Sequence, residues 1–568
     1  MSPRRLLFHH FLRQYGSFEA IGTGGEAKYV LIAVVSLLAG PGYLISVMTA
    51  SGGPMLALTH AGRVPPELWL WKQEWLLLAV SLVTVAGLVA IQWRSFVLGG
   101  RDYRILSLLP MARRSVMSAK LQSLVVVVTL LHVAINTLPG LWLPVASPFG
   151  YFRAALALQA ALLMQTVFAC ASIVAIQGLV SLVLPARAAQ RAAAAVQAAL
   201  LLAVALLFLA EGSISRLAFA MRDTAHPVNW LVPVVWFRGL YVKLLGVTSA
   251  TVTAAQAQLA VVATFVAVAA AVPCSLLGFR DAGGDGQRHG AGGVASRLEA
   301  LLQGKGMRPV ARAVASFVSA GLLRSASALL IARGLFLVGV ALTLSGFMGV
   351  ALRDMGYSAP VLPAHPLHAP VFVLPFFALV GLRLAAVYPA ALGANWIFRL
   401  TETPGSAEYV AGVRRAAVGT VVLPLLGLLA IPYVLLWGPL PAAAHVALAL
   451  AVALVTSEWL FLGFPKIPFT STYQPGKANL RVTWPKYFAI FVVYCGLLPS
   501  AAVRLLASPA AWAVSVGLLL VVWRWLVRVR ERQAGAGRLV FDDAAHPHLT
   551  LLGLEWRGAA SKVGTDLA

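Results

Sequence analysis

The segments LQSLVVVVTL, Leu121–Leu130, and AALLLAVALLFLA, Ala198–Ala210, decide the fold class of this chain. Both are nearly continuous apolar runs, without the alternation of apolar and polar residues that marks a strand of a membrane barrel. Lipid offers no partner to backbone N–H and C=O groups, so a chain that crosses it forms helices or a closed barrel. These runs therefore predict an all-α protein, a polytopic bundle of membrane-spanning helices.

The composition supports the same class along the whole chain. Of the 568 residues, 60% are hydrophobic and 11% are charged, and the mean hydropathy is +0.84. A soluble chain of this length has too little interior to bury so much apolar surface. The net charge of +25 would suggest nucleic acid in a soluble protein, but basic residues collect in the cytoplasmic loops of membrane proteins. We therefore expect membrane lipid as a partner and no nucleic acid.

About twelve stretches are long and apolar enough to cross a hydrocarbon core of about 30 Å, which needs roughly 20 helical residues. They are 29–49, 74–93, 121–146, 154–183, 193–210, 255–277, 329–352, 370–392, 415–437, 442–464, 487–506 and 509–527. The first of these runs is longer than a signal-peptide core and lacks a persuasive cleavage site, so we expect an uncleaved anchor.

The distribution of Lys and Arg predicts the orientation of these spans. With the N-terminus inside, 34 of the 44 basic residues lie in inner segments and nine in outer segments, while Arg383 lies within a span. Basic residues favour the cytoplasmic side, so both termini are predicted to be cytoplasmic. Arg outnumbers Lys 35 to 9 and Ala is abundant, which is typical of a GC-rich bacterial genome. The expected location is the bacterial cytoplasmic (inner) membrane, as a multi-pass protein.

A polar, Gly-rich segment divides the spans into two sets of six. Residues 281–306 read DAGGDGQRHGAGGVASRLEALLQGKG, which predicts a flexible cytoplasmic linker. The first six-helix half is then 1–280 and the second is 307–568. Each half begins with a basic amphipathic stretch, around Phe11 and around Phe317, which suits a helix in the inner membrane interface. The alternative is an ordinary loop helix packed on the bundle.

The chain lacks the motifs of common catalytic and metal sites. There is no HExxH pair, no GxSxG turn in a strand-to-helix context and no clustered His/Cys set. Cys170, Cys274 and Cys495 lie far apart inside apolar runs, as small hydrophobic residues do. A GxxxxGK[ST] loop is also absent, so any ATP that drives this chain must bind another polypeptide. We predict no catalytic residue, no cofactor and no metal site.

Two charges are predicted to lie inside the membrane, Arg383 and Glu458. Charges at this depth are costly and are usually functional or paired. Both spans run from outside to inside within the second half, and the two residues lie at similar depths. We expect an ion pair or a shared polar cavity. The alternative is that Arg383 reaches backbone carbonyls alone and Glu458 faces the inner headgroups. No span shows a polar stripe that would identify a ligand.

The first long cytoplasmic loop carries the most informative motif, GGRDYRILSLLPMARRSVMSAKL, Gly99–Leu121. The segment reads as a short helix, a turn set by proline, and a second helix that enters the third span. It resembles the loop of ABC-2-type permeases, in which a similar D…L…LP…R…AK pattern follows the second span. In that family the loop is a coupling element that sits on the nucleotide-binding subunit. The resemblance implies that the residues facing or bracing an ATPase are Asp102, Leu108, Pro110, Arg113, Arg114 and Lys120.

The two halves agree with that family to different degrees. The first half is similar in layout, including an outer segment, Asn229–Gly246, whose aromatic weight suits a helix dipping into the interface. A plain outer loop is the alternative for that segment. The second half departs, because a couple of residues join its last two spans. Its inner loop Ala394–Arg415 is a possible second coupling element, with the contact residues Trp396, Phe398 and Arg399.

Two functions are consistent with these features. The first is the membrane-spanning permease subunit of an ABC-type exporter, in which one chain supplies both halves and pairs with two copies of an ABC ATPase subunit. The second is a membrane-embedded enzyme or scaffold without an ATPase, whose basic inner loops hold anionic lipid or a lipid-linked substrate. The transported substrate is not predicted.

Overall fold

The structure is a computed structural model of the chain. It describes residues 3–16, 66–91, 113–210, 213–214, 227–247, 251–281, 308–354, 363, 365–387, 394–400, 407–464, 466–470 and 490–536. Every regular element in these ranges is helical. The predicted span 29–49 and linker 281–306 lie outside them, apart from Asp281 at the end of a helix.

The described helices of the first half include one short N-terminal helix, five long helices and one short helix between the last two. They are α1 (Pro3–Gly16), α2 (Pro66–Ile91), α3 (Arg113–Trp142), α4 (Tyr151–Val183), α5 (Ala186–Leu209), α6 (Pro233–Leu244) and α7 (Thr251–Asp281).

The helices of the second half follow a similar order. They are α8 (Pro309–Arg324), α9 (Ala326–Asp354), α10 (Pro370–Ala385), α11 (Asn395–Leu400), α12 (Ala407–Ala416), α13 (Leu423–Trp437), α14 (Pro439–Leu460), α15 (Leu498–Leu506) and α16 (Pro509–Ala536). A π-helical segment, Ala417–Val422, joins α12 to α13, and another, Val493–Leu497, precedes α15. Pro424 and Pro499 each lie two residues beyond a π segment. A proline has no N–H and crowds the carbonyl four residues earlier, which widens the preceding turn.

Nine helical stretches among the described residues are long and apolar enough to cross a membrane. Each coincides with a predicted span within several residues. The predicted spans 370–392 and 487–506 correspond to shorter apolar helices, Pro370–Ala385 and Ile490–Leu506. Large apolar side chains such as Phe152 and Val521 are also exposed on helix surfaces, where lipid would cover them. The chain is thus a multi-pass helical membrane protein, while the count of twelve and the cytoplasmic termini stay predictions.

The basic amphipathic helix of each half packs on the third span of that half. Helix α1 contacts α3, and α8 contacts α12. The apolar residues that the helical spacing placed on one face, among them Phe11 and Val314, are buried against the bundle. Gly412 of α12 allows this close approach, because a Cβ there would lie 2.6 Å from the backbone oxygen of Ala311. These apolar faces thus pack on the bundle, and the location of α1 and α8 in the inner membrane interface stays a prediction.

The main helix pairs also recur between halves. In the first half α4 packs against α2, α3 and α7. In the second half α14 packs against α10, α13 and α16, which are the elements at the same positions in the order. The halves touch where α5 packs on α9, and Ser345 Oγ donates to the backbone oxygen of Leu209 at 3.1 Å. The described residues thus support a duplicated architecture.

Candidate functional site

The first predicted coupling loop is described only from Arg113 onward. Asp102, Leu108 and Pro110 lie outside the described residues, and Arg113 and Arg114 form the start of α3, with only their backbone described. Lys120 is buried, and its Nζ lies 5.8 Å from the ring centroid of Phe11 on α1. Lys120 is therefore placed to brace α3 on α1, and its role toward an ATPase stays a prediction.

The second predicted coupling element forms helix α11 and part of α12. The side chain of Phe398 is buried, and its ring centroid lies 5.1 Å from that of Phe317 on α8 and 6.2 Å from that of Tyr409 on α12. The ring of Phe398 thus packs inside the chain, and its role as a contact residue stays a prediction. Only the backbone of Trp396 and Arg399 is described, and their contact role stays a prediction.

A buried charge cluster joins α12, α14 and α16. Glu458 is fully buried, and its Oε2 accepts a hydrogen bond from Nη1 of Arg530 at 3.0 Å. Arg414 Nε lies 3.6 Å from Oε1 of Glu458, and Arg414 Nη2 donates to Oε1 of Glu531 at 3.3 Å. Two carboxylates thus balance two guanidinium groups, which lowers the cost of placing charge in a dry interior.

Arg383 lies beside this charge cluster. Its Nε donates to the backbone oxygen of Leu460 at 3.0 Å, two residues beyond Glu458. Its guanidinium lies 4.3 Å from the ring centroid of Phe464 and 5.8 Å from that of Phe461. Arg383 thus contacts the end of α14, the helix that carries Glu458. In the structure, however, the partners of Glu458 are Arg530 and Arg414, and not Arg383.

Arg530 and Arg414 were not predicted to belong to a buried charge cluster. The predicted span 509–527 ends before Arg530 and the predicted span 415–437 begins after Arg414, so both residues were assigned to cytoplasmic segments. In the structure α16 continues to Ala536, and α12 runs into α13 without a break. Leu526, Val527 and Arg530 are all buried and recur at helical spacing. That spacing was the available signal that the helix face continues past the last apolar run.

A second polar region lies in the core of the first half. Ser81 Oγ donates to Oδ1 of Asn136 at 2.6 Å, and Asn136 Nδ2 donates to Oγ1 of Thr166 at 3.0 Å. Asn136 Nδ2 also lies 3.4 Å from Nδ1 of His132, and Gln165 Nε2 donates to a backbone oxygen of α2 at 2.7 Å. We call the buried polar side chains of this core the polar seam, which consists of Gln73, Ser81, Thr84, His132, Asn136, Gln165, Thr166 and Gln256.

The sequence did not reveal the polar seam, and the expectation that no span carries a polar stripe identifying a ligand stays a prediction. On α2, Gln73, Ser81 and Thr84 share one face, but the apolar residues around them on all other faces hide the pattern in sequence. One end of the polar seam meets an ion pair, in which Arg238 Nε donates to Oε2 of Glu74 at 3.0 Å. Arg238 belongs to α6, which lies in the segment predicted to dip into the outer interface.

Histidines and aromatic rings cluster at the predicted outer end of the second half. His368 stacks on Trp437 with ring centroids 4.8 Å apart, and the ring of His445 lies 5.2 Å from that of His368. Tyr433 donates from its hydroxyl to the backbone oxygen of Leu367 at 2.9 Å. Burial lowers the pKa of His368, which favours its neutral form. Among the described residues no group of three or more His, Cys, Asp or Glu is arranged to hold a metal ion.

Comparisons of the chain with protein-family models, with curated proteins and with solved structures return no match. The geometry of the described residues therefore carries the functional argument.

Proposed function

We propose that the chain is the membrane-spanning permease subunit of an ABC-type exporter, driven by separate ATPase subunits that dock on its inner loops. The observation that carries this proposal is a continuous set of contacts in the second half. Phe398 of α11 packs on Tyr409 of α12, and α12 carries Arg414, which reaches Glu458 between the membrane helices. Force applied at α11 would thus reach α14 and α16 through packed rings and paired charges.

The first half offers a parallel connection. The predicted coupling loop leads directly into α3, and Lys120 near the start of that helix lies on Phe11 of α1. Helix α1 packs on α3 as α8 packs on α12. A partner that pushed on this loop would therefore move a helix pair and not an isolated segment. One docking element for each half fits two copies of an ATPase subunit.

The ATPase must be a separate polypeptide on this proposal. The sequence contains no GxxxxGK[ST] loop, whose backbone N–H groups and Lys would hold the phosphates of ATP. In the resemblance to ABC-2-type permeases, the energy source is likewise a nucleotide-binding subunit on the cytoplasmic face. The expected setting is the bacterial cytoplasmic membrane, with both termini on the side of the ATPase.

The coupling loop gives the proposal a direct test. The double variant Arg113→Glu, Arg114→Glu reverses a basic pair at the start of α3. A basic pair suits an acidic surface on a partner, so reversal should turn attraction into repulsion. We expect the variant to insert in the membrane normally and to lose the ATPase when the tagged chain is purified in mild detergent.

A matched variant separates this effect from a general loss of basic charge. Arg187→Glu with Arg191→Glu makes the same charge change in the first turns of α5, in the predicted inner segment between the spans 154–183 and 193–210. This control should retain the ATPase. Retention of a full complement of ATPase by the Arg113/Arg114 variant would contradict the coupling assignment. An enzyme or scaffold acting on lipid without an ATPase is the alternative, and it predicts that the unmodified chain is purified without an ATP-hydrolysing partner.

A further inference from the structure

The polar seam of the first half holds more hydrogen-bonding atoms than its helices satisfy. In the described part of the chain, the side-chain oxygens of Gln73, Thr84 and Gln165 and the side-chain nitrogen of Gln256 meet no hydrogen-bond partner. All four side chains are more than nine-tenths buried. Such atoms are rare in native proteins, because their lost hydration is not replaced, and ordered water or a ligand is the usual partner.

These atoms follow one another along the membrane-crossing direction. From Gln73 to Thr84 the α-helical rise is about 16 Å, which is roughly half of a 30 Å hydrocarbon core. Between them, Ser81 connects through Asn136 to Thr166, while Gln165 bonds the backbone of α2 one turn away. The polar groups therefore form a line that begins near one face of the bundle and reaches its middle.

The line has one open end and one closed end. At the open end the Arg238 side chain is 25% exposed, and it pairs with Glu74 next to Gln73. Gln256 lies against Gly239, the neighbour of Arg238. Beyond Thr84 the buried positions of α2 are apolar, beginning with Val85. The described seam thus ends at mid-depth and does not cross the bundle.

The chemistry of the seam favours uncharged partners. Its members are amides, hydroxyls and the imidazole of His132, and the mouth carries one acid and one base that neutralise each other. Amide oxygens accept hydrogen bonds from O–H and N–H groups, and the free amide nitrogen of Gln256 donates one. An ion would have to lose its hydration without meeting an opposite charge, which is costly at this depth.

We propose that the polar seam is a water-filled half-path that opens at the Glu74–Arg238 pair, ends at Asn136 and His132, and admits small uncharged polar solutes. This inference does not rest on the partner ATPase and holds for any function of the bundle. Water within the polar seam would complete the hydrogen bonds of the orphaned atoms.

Single cysteines on α2 test the half-path in the full-length protein. Ser81→Cys and Thr84→Cys lie in the polar seam, whereas Leu78→Cys and Val85→Cys lie on the same helix and are equally buried. Iodoacetamide is a small, uncharged, polar thiol reagent, and iodoacetate is its anionic counterpart. In nanodiscs, with alkylation followed at each site by mass spectrometry, iodoacetamide should modify the two seam cysteines roughly tenfold faster than the two controls, the ratio that ~1.4 kcal/mol in opening free energy produces.

Two outcomes decide between a half-path and ordinary local opening. Iodoacetate should lose the advantage at the seam cysteines, because the path favours uncharged solutes. The proposal would be overturned if iodoacetamide modified all four cysteines at the same rate. It would also be overturned if iodoacetate favoured the seam cysteines over the controls as strongly as iodoacetamide does.

Discussion

The ion pair between Glu458 and Arg530 should contribute strongly to the stability of the second half. Glu458 is fully buried and Arg530 is 5% exposed, with 3.0 Å between the paired atoms. The variant Arg530→Leu would leave a buried carboxylate with only Arg414, 3.6 Å away. Removing one member of a buried pair costs about 3–5 kcal/mol. Because Arg414 remains, we expect a loss of about 3 kcal/mol in the free energy of unfolding.

Two further variants show whether the loss comes from the pair. In Arg530→Leu with Glu458→Leu neither charge of the pair remains, so the double variant should be more stable than Arg530→Leu alone. Arg308 forms an ion pair with Glu408, and its side chain is 77% exposed. The variant Arg308→Leu removes the guanidinium of this exposed pair. Exposed pairs contribute about 0–1 kcal/mol, so this control should change stability little.

Reversible unfolding in mixed micelles of dodecyl sulfate and a mild detergent measures these free energies. We expect the free energy of unfolding to be lowest for Arg530→Leu and clearly higher for the double variant. The value for Arg308→Leu should be close to that of the unmodified protein. A double variant whose loss equals the sum of the Arg530→Leu and Glu458→Leu losses would refute the reasoning, because it would show no coupling between the two charges.

Three other predictions follow from topology, packing and protonation. A cysteine at Ala364 should react with an impermeant thiol reagent from the outer face, and one at Gly292 should not; outer labelling at Gly292 would contradict the twelve-span topology. Gly412→Leu should lower the unfolding free energy by about 2 kcal/mol through overpacking against α8, whereas Gly427→Leu, which has open space, should not. Burial lowers the pKa of His368 in the folded chain, so His368 takes up a proton at higher pH in the unfolded chain than in the folded chain. The free energy of unfolding should therefore fall as the pH drops below about 6.5, the ordinary pKa of histidine. His368→Gln should weaken that fall between pH 7 and 5 in thermal unfolding, and an unchanged pH dependence would argue against it.

The fold class could be predicted from the sequence because an apolar run of about 20 residues has the length and composition of a membrane-spanning helix. The span at 154–183 begins within three residues of α4 and ends with it, since the hydropathy changes sharply at both edges. The beginning of α12 and the end of α16 were predicted poorly. Arg414 lies before the apolar run that follows α12, and Arg530 lies after the apolar run of α16. A hydropathy pattern cannot show that another helix supplies the matching carboxylate.

The candidate sites were predicted only in part for a similar reason. Glu458 and Arg383 stood out as isolated charges in apolar runs, and in the structure Arg383 contacts the end of α14, the helix that carries Glu458. Asn136 and Gln165 did not stand out, because single amides in apolar helices are common and their meaning depends on which helix faces them. The contact of Phe398 with Phe317 joins residues 81 positions apart, and no local pattern indicates such a pairing.

The composition of the complex tests the proposed function most directly. The full-length chain, tagged at its C-terminus and purified in mild detergent from the cells that produce it, can be weighed by native mass spectrometry. The proposed function predicts one 60.0 kDa chain together with two copies of a subunit that carries a P-loop and hydrolyses ATP. Purification of the chain alone, or with partners that lack ATPase activity, would contradict it.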